Sequence, residues 1–368
     1  MKLTEWVADE DTVVVGFEER VRALSSTIVG GGLRELTHVV FHRVDPDFDE
    51  SDPAKYARGL LERLALPKDG TAVFLTAVDV VKERVELHVD YPAGITLVGS
   101  VGLGPTVCIG GGGHGRRLGT INLLLFVEKC LTDNALVDLA GVVWGAKALA
   151  LVDLGLSKGF NLGRVYATAT DALVVASATD GEVEIYGGPA TPIGAEVAGL
   201  VYEAILSSGL KGLSEGERFR NVFGVDLDWV SDTASELYLK APIPGLSREE
   251  VRREVEEEVK GLLKDPNVWA LALAARDLDW HGLAGALPGL DREEYLGDSH
   301  KILADELLGI ALALYVNGWK GLFAYYWIDS TKEGLREFED KPMFMDDILA
   351  SLVGSVLSRL YDRHKGSG

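Results

Sequence analysis

Two kinds of hydrophobic pattern divide this chain. Up to about residue 210, short apolar runs recur as TVVVGF, THVVFHRV, TAVFLTAV, RVELHVDY, ITLVGSVG and RVYATATDALVVAS. They are rich in Val, Ala and Thr and bounded by turn residues, as strands are. Stretches near residues 53–66, 120–131, 136–154 and 193–208 read as helices between them. This mixture predicts an α/β layered domain built on a mixed sheet. After Gly209 the composition changes. GLKGLSEGERFRNVFGVDLD is polar and punctuated by glycine, as a linker is, and nearly every later segment to His364 fits a helix. Ser247 with Glu250 forms a capping box that opens a helix to about Lys264, Asp291 with Glu294 predicts another, and Asp265-Pro266 interrupts the pattern. The pattern therefore predicts an α/β domain over residues 1–213 and an all-α domain over 214–368.

The helical half sets acids into apolar surroundings three times, as ADELLGIAL, YYWIDSTKEG and FMDDILASL. Burying a carboxylate is costly unless it is paired or metal-bound, so Asp305, Glu306, Asp329, Asp346 and Asp347 call for a partner. One hard cation shared by the three segments would supply it: Mg2+ takes oxygen ligands and keeps waters that a phosphate can displace. The competing explanation is electrostatic. Asp346 and Asp347 would favour a helix N-terminus through its dipole, with Asp305 and Asp329 on exposed faces.

Composition narrows the partners. The 368 residues exceed one ordinary core, consistent with two domains. A net charge of −21 with no Lys/Arg cluster argues against nucleic acid. Cys108 and Cys130 are the only cysteines and lack metal-ligand spacing, which fits a reducing compartment. The acidic start MKLTEWVADEDT is unlike a secretory signal, and LLGIALALYV is too short to span a bilayer. A cytoplasmic protein without stable membrane insertion is expected; homo-oligomerisation is possible.

Several familiar motifs in the first half are weak. Gly110, Gly112 and Gly115 have dinucleotide-fingerprint spacing, but Asp133, about 20 residues on, follows a predicted helix and not a strand. His114, Arg116 and Arg117 leave this stretch as a candidate ligand loop. GLSKG around Ser157 and GLSEG around Ser214 resemble nucleophile elbows without the strand-to-helix context. His38 and His42 alternate along a strand with no third ligand in view. More informative are LSSTIVGGGL, with Ser25, Ser26 and Thr27; LGTINLLL, with Thr120 and Asn122 at a predicted helix start; and YATATDALVVAS, with Thr168, Thr170 and Asp171 inside an apolar strand. Polar groups so placed need partners, and a site is one way to provide them.

These stretches, with GAKALALVDLG and YGGPATPIG, resemble the adenosylcobinamide amidohydrolase family over about residues 22–207, in the family's block order. The resemblance implies hydrolysis of the amide that joins aminopropanol to the corrin. Gly145 stands where an acidic residue would be expected. Candidates for the chemistry are the hydroxyls of Ser26, Thr120 and Thr170; Asp171 as a base; Asn122 as an oxyanion donor; and Lys147 as a base or electrostatic group. Side-chain nucleophile and activated water both remain open, and no cofactor is expected in this half.

From about residue 217 to 364 the chain resembles the phosphatidylglycerophosphatase A family, closest to its soluble branch with α-ribazole phosphatases. Asp305 and Glu306 match its acidic pair before Gly309, Asp329 and Lys332 its Asp and Lys before Gly334, and Asp346 and Asp347 its double Asp. The bulky YYW before Ile328 departs from it. The resemblance implies Mg2+ held by Asp305, Glu306, Asp329, Asp346 and Asp347, catalysis involving Asp329, Lys332 and Asp347, and α-ribazole 5'-phosphate or adenosylcobalamin 5'-phosphate as substrate. Asp279, His281 and Asp298 are secondary candidates. The alternative is a phosphatidylglycerophosphatase joined to a non-catalytic corrinoid-binding module.

Overall fold

A computed structural model describes residues 3–109, 120–158, 163–298, 301–331, 338 and 341–364. The chain forms two compact units, one of residues 1–154 and 165–213, the other of residues 155–164 and 214–368. The architecture is a mixed parallel and antiparallel sheet with helices, followed by an all-helical region, as the pattern predicts.

The elements of the first two thirds, in order, are β1 (Leu3–Asp9), β2 (Thr12–Ser25), β3 (Gly32–Arg43), α1 (Pro53–Arg63), β4 (Thr71–Thr76), β5 (Val85–Val89), β6 (Ile95–Val101), β7 (Thr106–Cys108), β8 (Ile121–Leu131), α2 (Asp133–Asp153), β9 (Ser157–Lys158), β10 (Gly163–Thr168), β11 (Ala172–Ala178), β12 (Val183–Glu184) and α3 (Pro192–Gly212). The main sheet runs β4-β3-β2-β11-β8-β6-β5, with β1 added to β2 and β12 to β8. β8 and β11 are parallel, and β2 and β6 flank them antiparallel. Alternate residues make two cores. Val13, Val15, Phe41, Phe74, Leu124, Phe126, Val174 and Ala176 fill one face. Val14, Val40 and Val73 on the other receive Ala57, Leu60 and Leu61 of α1. The sheet is strongly curled. Asn122 of β8 donates to the Leu75 carbonyl of β4, at 3.0 Å, although three other strands separate them along the sheet.

Three local expectations give way. Residues 121–131 are a strand and not a helix: Ile121 to Val127 are all buried, and a strand buried on both faces loses the alternation that distinguishes it. Thr120 and Asn122 therefore stand at a strand start. RVYATATDALVVAS is two strands, and Asp171 lies in the turn at 169–171 that separates them. The expected linker is helical. Ser214 and Glu217 close a capping box on α4 (Glu215–Phe223), whose Phe219, Val222 and Phe223 form a buried stripe.

The remaining helices are α5 (Leu227–Tyr238), α6 (Arg248–Leu262), α7 (Pro266–Leu283), α8 (Arg292–Leu296), α9 (Ala304–Asp329) and α10 (Met343–Arg363). α9 is broken at Asn317 and Gly318, where Gly318 has φ 59° and ψ −146°, a conformation open essentially to glycine. The two limbs fold back on each other. A Cβ on Gly309 would lie 2.8 Å from the Tyr325 ring, and one on Gly321 would lie 2.4 Å from the Ala313 carbonyl oxygen. Both pairs share one register centred on Asn317, so Asp305 is brought level with Asp329 at the open end of the hairpin. α10 packs along the hairpin, with Gly354 against the backbone of Ala324 and Tyr325.

By length and composition α2, α3 and α9 could each cross a membrane. In this fold α2 and α3 pack on each other and on strands of the sheet, while each limb of α9 falls short of the ~20 residues a span needs.

Candidate functional site

Strand register gathers the polar candidates of the first unit at one end of the sheet. The C-terminal end of β2, where Ser25 pairs with Val174, adjoins the N-terminal ends of β11 and β8, where Ala172 pairs with Asn122. Asp171 is the hub. Its Oδ1 accepts from the backbone N–H of Ile121 at 3.0 Å and from the Thr168 hydroxyl; its Oδ2 accepts from the backbone N–H of Thr168 at 3.0 Å and from Lys147. Lys147 reaches it from α2, and both side chains are almost wholly buried. The ammonium also lies 4.4 Å from the centre of the Trp144 ring.

Burial then separates the candidates by what they can do. Thr120 is fully buried; its hydroxyl donates to the Thr170 carbonyl at 2.6 Å and lies 3.0 Å from Asn122 Oδ1. Asn122, also buried, has its amide on Leu75. These two hold β8 to the turn before β11, and neither points a free group outward. Four hydrogen bonds likewise make Asp171 an anchor for Lys147 in place of the base expected from sequence. Ser26 and Thr170 are the exposed hydroxyl-bearing residues of the set. Ser26 brackets Leu173, accepting from its N–H at 2.9 Å. Thr168, which carries two of the four bonds to Asp171, was legible only as one of several threonines in a strand. Gly145 lies on the exposed face of α2, nearly opposite Lys147, so the missing acid there removes nothing from this network.

The other motifs of this half are structural or lie outside the described residues. His42 is buried between Thr12, at 2.8 Å, and Tyr56, at 2.9 Å, and burial lowers its pKa. His38 bonds to its neighbour Thr37. Ser157 donates to the Asn221 carbonyl and Ser214 caps α4, so neither is a nucleophile elbow. Gly110, Gly112, His114, Gly115, Arg116 and Arg117 fall outside the described residues.

In the helical unit the first turns of α9 and α10 bring three carboxylates together. One oxygen each from Asp305, Glu306 and Asp347 lies within 4.8 Å of the others. Asp305 and Asp347 are buried, so the competing explanation that puts Asp305 on an exposed face does not hold, and Asp305 Oδ1 and Glu306 Oε2 are buried without a hydrogen bond. Burial, reinforced by the Glu306 carboxyl, pushes the pKa of Asp305 up. Asp347 accepts from the Tyr325 hydroxyl at 3.2 Å. Burial and then the charges of Asp347 and Asp329 raise the Tyr325 pKa, which places Asp329 in the same electrostatic field. The YYW departure thus has a use: Tyr325 fits against Gly309 and orients Asp347.

Asp279 of α7 is fully buried and stands behind this cluster. It accepts from Tyr295 at 2.7 Å and from the backbone N–H groups of Phe344 and Met345 at 2.9 Å, capping α10, whose own N-cap Pro342 has no side-chain donor or acceptor. Burial and nearby Asp346 raise its pKa to about 7. His281 bonds to the Asp277 carbonyl of its own helix and Asp298 is exposed, so neither joins the cluster. Lys332 and Gly334 fall outside the described residues.

Oxygens within 4.8 Å of one another suit a divalent cation with oxygen ligands. They would draw in to reach the ~2.1 Å bonds of Mg2+. Two buried oxygens lacking donors are the kind of vacancy in hydrogen bonding that a cation fills.

The fold and the first site define an α/β protein with a buried Lys–Asp pair at the end of a curled mixed sheet. Residues 2–216 match the adenosylcobinamide amidohydrolase (CbiZ) family, and the chain belongs to it. It is 39% identical over 90 residues to an adenosylcobinamide amidohydrolase of Halobacterium salinarum, covering 24% of this chain and 36% of that relative. It is 30% identical over 133 residues to the uncharacterized protein MJ1330 of Methanocaldococcus jannaschii, 36% of this chain and 99% of that protein. Among solved structures it is similar to the low temperature requirement C protein from Listeria monocytogenes (24% identity, TM-score 0.34, 41% of this chain and 95% of that one). It is also similar to protein ypjQ from Bacillus subtilis (21% identity, TM-score 0.35, 42% and 97%).

Proposed function

We propose a two-part cytoplasmic hydrolase of corrinoid salvage. The first unit hydrolyses the aminopropanol amide of adenosylcobinamide to adenosylcobyric acid. The second is a Mg2+-dependent phosphomonoesterase acting on α-ribazole 5'-phosphate or adenosylcobalamin 5'-phosphate. Family membership supports the amide activity. The phosphatase rests on one observation: Asp305, Glu306 and Asp347 converge, with two buried oxygens lacking hydrogen bonds.

In the first unit, Lys147 is the cation held where an amide oxygen would gain negative charge, with Asp171, Thr120 and Asn122 fixing the strands around it. Water adds to the carbonyl carbon, the C–N bond breaks, and the amine leaves protonated. Ser26 and Thr170, exposed at this end of the sheet, would contact the ligand.

In the second unit, Asp305, Glu306 and Asp347 would hold Mg2+, with Asp346 beside them. The ion supplies charge compensation for the phosphate and orients it. Asp329, level with Asp305 on the opposite limb, accepts a proton from the attacking water, and Lys332 contacts a phosphate oxygen.

A substrate panel with the whole chain tests both halves. Free aminopropanol should appear from adenosylcobinamide with or without EDTA. Phosphate should appear from the nucleotide or cobalamin phosphate, stop on chelation and return with Mg2+. Phosphate release undiminished by exhaustive chelation sinks the metal assignment; release from phosphatidylglycerophosphate alone would favour the lipid substrate.

A further inference from the structure

The hairpin of α9 buries its small-residue side on α10 and leaves its other side bare. Leu303, Leu307, Tyr315, Trp319, Phe323 and Tyr326 are each more than half exposed, and Trp327 is 43% exposed. Trp319, Phe323, Tyr326 and Trp327 follow one another at i, i+4, i+7 and i+8 and so share one face of the second limb. A fully buried aromatic side chain removes ~150–250 Å² from water, so these four exposed aromatics alone present about 500 Å² of the ~800 Å² each partner contributes to a standard interface.

We propose that this face is the interface of a dimer formed by two copies of the chain. Its charge favours a copy over a lipid surface. None of these positions is charged, Lys320 beside them is tied to Asp362 at 2.8 Å, and the chain as a whole carries −21. Interfacial helices instead carry a Lys/Arg-rich polar flank that anionic headgroups attract. Between two strongly anionic copies, an uncharged patch is the surface on which contact costs least.

Shape points the same way. An apolar recess of about 420 Å³, lined by Leu237, Ala241, Phe323, Trp327, Leu357 and Tyr361, opens beside the projecting rings. A two-fold interface is built from the same patch twice, so a patch with both a projection and a recess can complement itself. Each copy would seat Trp319 or Tyr326 in the other's recess.

The test is the mass of the full-length chain in solution, by sedimentation equilibrium across micromolar concentrations. Twice 39.6 kDa is expected. Trp319→Glu and Phe323→Glu should each raise the dissociation constant by at least about 30-fold, as loss of an interface hot spot does. Their far-ultraviolet circular dichroism should be unchanged. Leu149→Glu, on the exposed face of α2, should leave the mass as it is. Tryptophan emission that shifts to the red on dilution in the native chain, and no longer does so in Trp319→Phe, gives a reading that does not depend on a charged variant folding. A single-copy mass for the native chain overturns the proposal. So does a dimer that survives both charged substitutions, or native protein that floats with anionic phospholipid vesicles while the face variants do not.

Discussion

Asp171 uses both carboxylate oxygens in four hydrogen bonds, and this decides what a substitution there does. Asp171→Asn turns one acceptor oxygen into an amide that cannot accept from Lys147 or the Thr168 N–H, and leaves the ammonium buried without its counter-charge. Breaking a buried pair from one side costs about 3–5 kcal/mol, so urea denaturation should show a loss of that order. Aminopropanol release should fall at least ~100-fold, the scale of losing one electrostatic contact in a transition state. Fully retained turnover in a folded variant would rule out any part for Asp171 in the site. Asp279 makes the complementary case, a buried acid held largely by neutral donors. The folded state keeps its proton up to about pH 7, whereas an unfolded aspartate releases it near its ordinary value of 3.8. Between those values the folded state binds more protons, so the stability this group contributes is present at low pH and lost as pH rises through about 7. Asp279→Asn should flatten that part of the stability–pH curve, measured by thermal melting in a buffer series without divalent ions. A variant curve parallel to the native one would show that Asp279 does not titrate in the window.

Elements were legible where β-branched residues mark a strand, and illegible where leucine takes their place. The valine- and threonine-rich runs of β2, β3, β4 and β6 and the capping boxes at Ser247 and Asp291 could be read directly. β8 could not, because INLLLFV is apolar on both faces and leucine-rich. The apparent linker hid its helix because its buried stripe is only three residues long. Pairing in space was the other gap: Lys147 and Asp171 were separate candidates until α2 crossed β11, and Asp279 caps a helix that begins 64 residues later. The hairpin break in α9 is the same kind of fact, carried by Asn317-Gly318 inside a run that otherwise reads as one long helix. Gly318→Ala tests its weight. A Cβ meets no neighbour there, so the penalty is conformational: φ 59° with ψ −146° costs a non-glycine residue about 1–3 kcal/mol. A loss of that size in thermal or urea unfolding is expected. Part of the strain should appear as weaker Mg2+ binding, since straightening the break moves Asp329 away from Asp305. Stability unchanged within error would mean that the limbs, and not the glycine, set the turn.

At the scale of the whole molecule, the two units make separable claims on divalent ions. The first pairs its buried Lys147 with Asp171, so the carboxylate of this pair is already met by a cation of the chain. The second leaves Asp305 Oδ1 and Glu306 Oε2 without donors, so its folded state carries an electrostatic cost that a cation would relieve. A ligand that binds only the folded state stabilises it by RT ln(1 + [L]/Kd), about 2.7 kcal/mol at a hundredfold excess over Kd. For a helical unit of this size that corresponds to an upward shift of roughly 5–11 °C in its melting transition. Calorimetry of the full chain should therefore show Mg2+ raising the transition of the helical unit while that of the α/β unit stays in place. Asp305→Asn with Glu306→Gln should abolish the shift and raise the metal-free melting point, because the mutual repulsion is removed along with the ligands. If both transitions move together, the ion is acting on the overall charge of −21 and not on a site. If neither moves, the three carboxylates are a buried cluster whose cost is met in some other way, and the phosphatase reading loses its support.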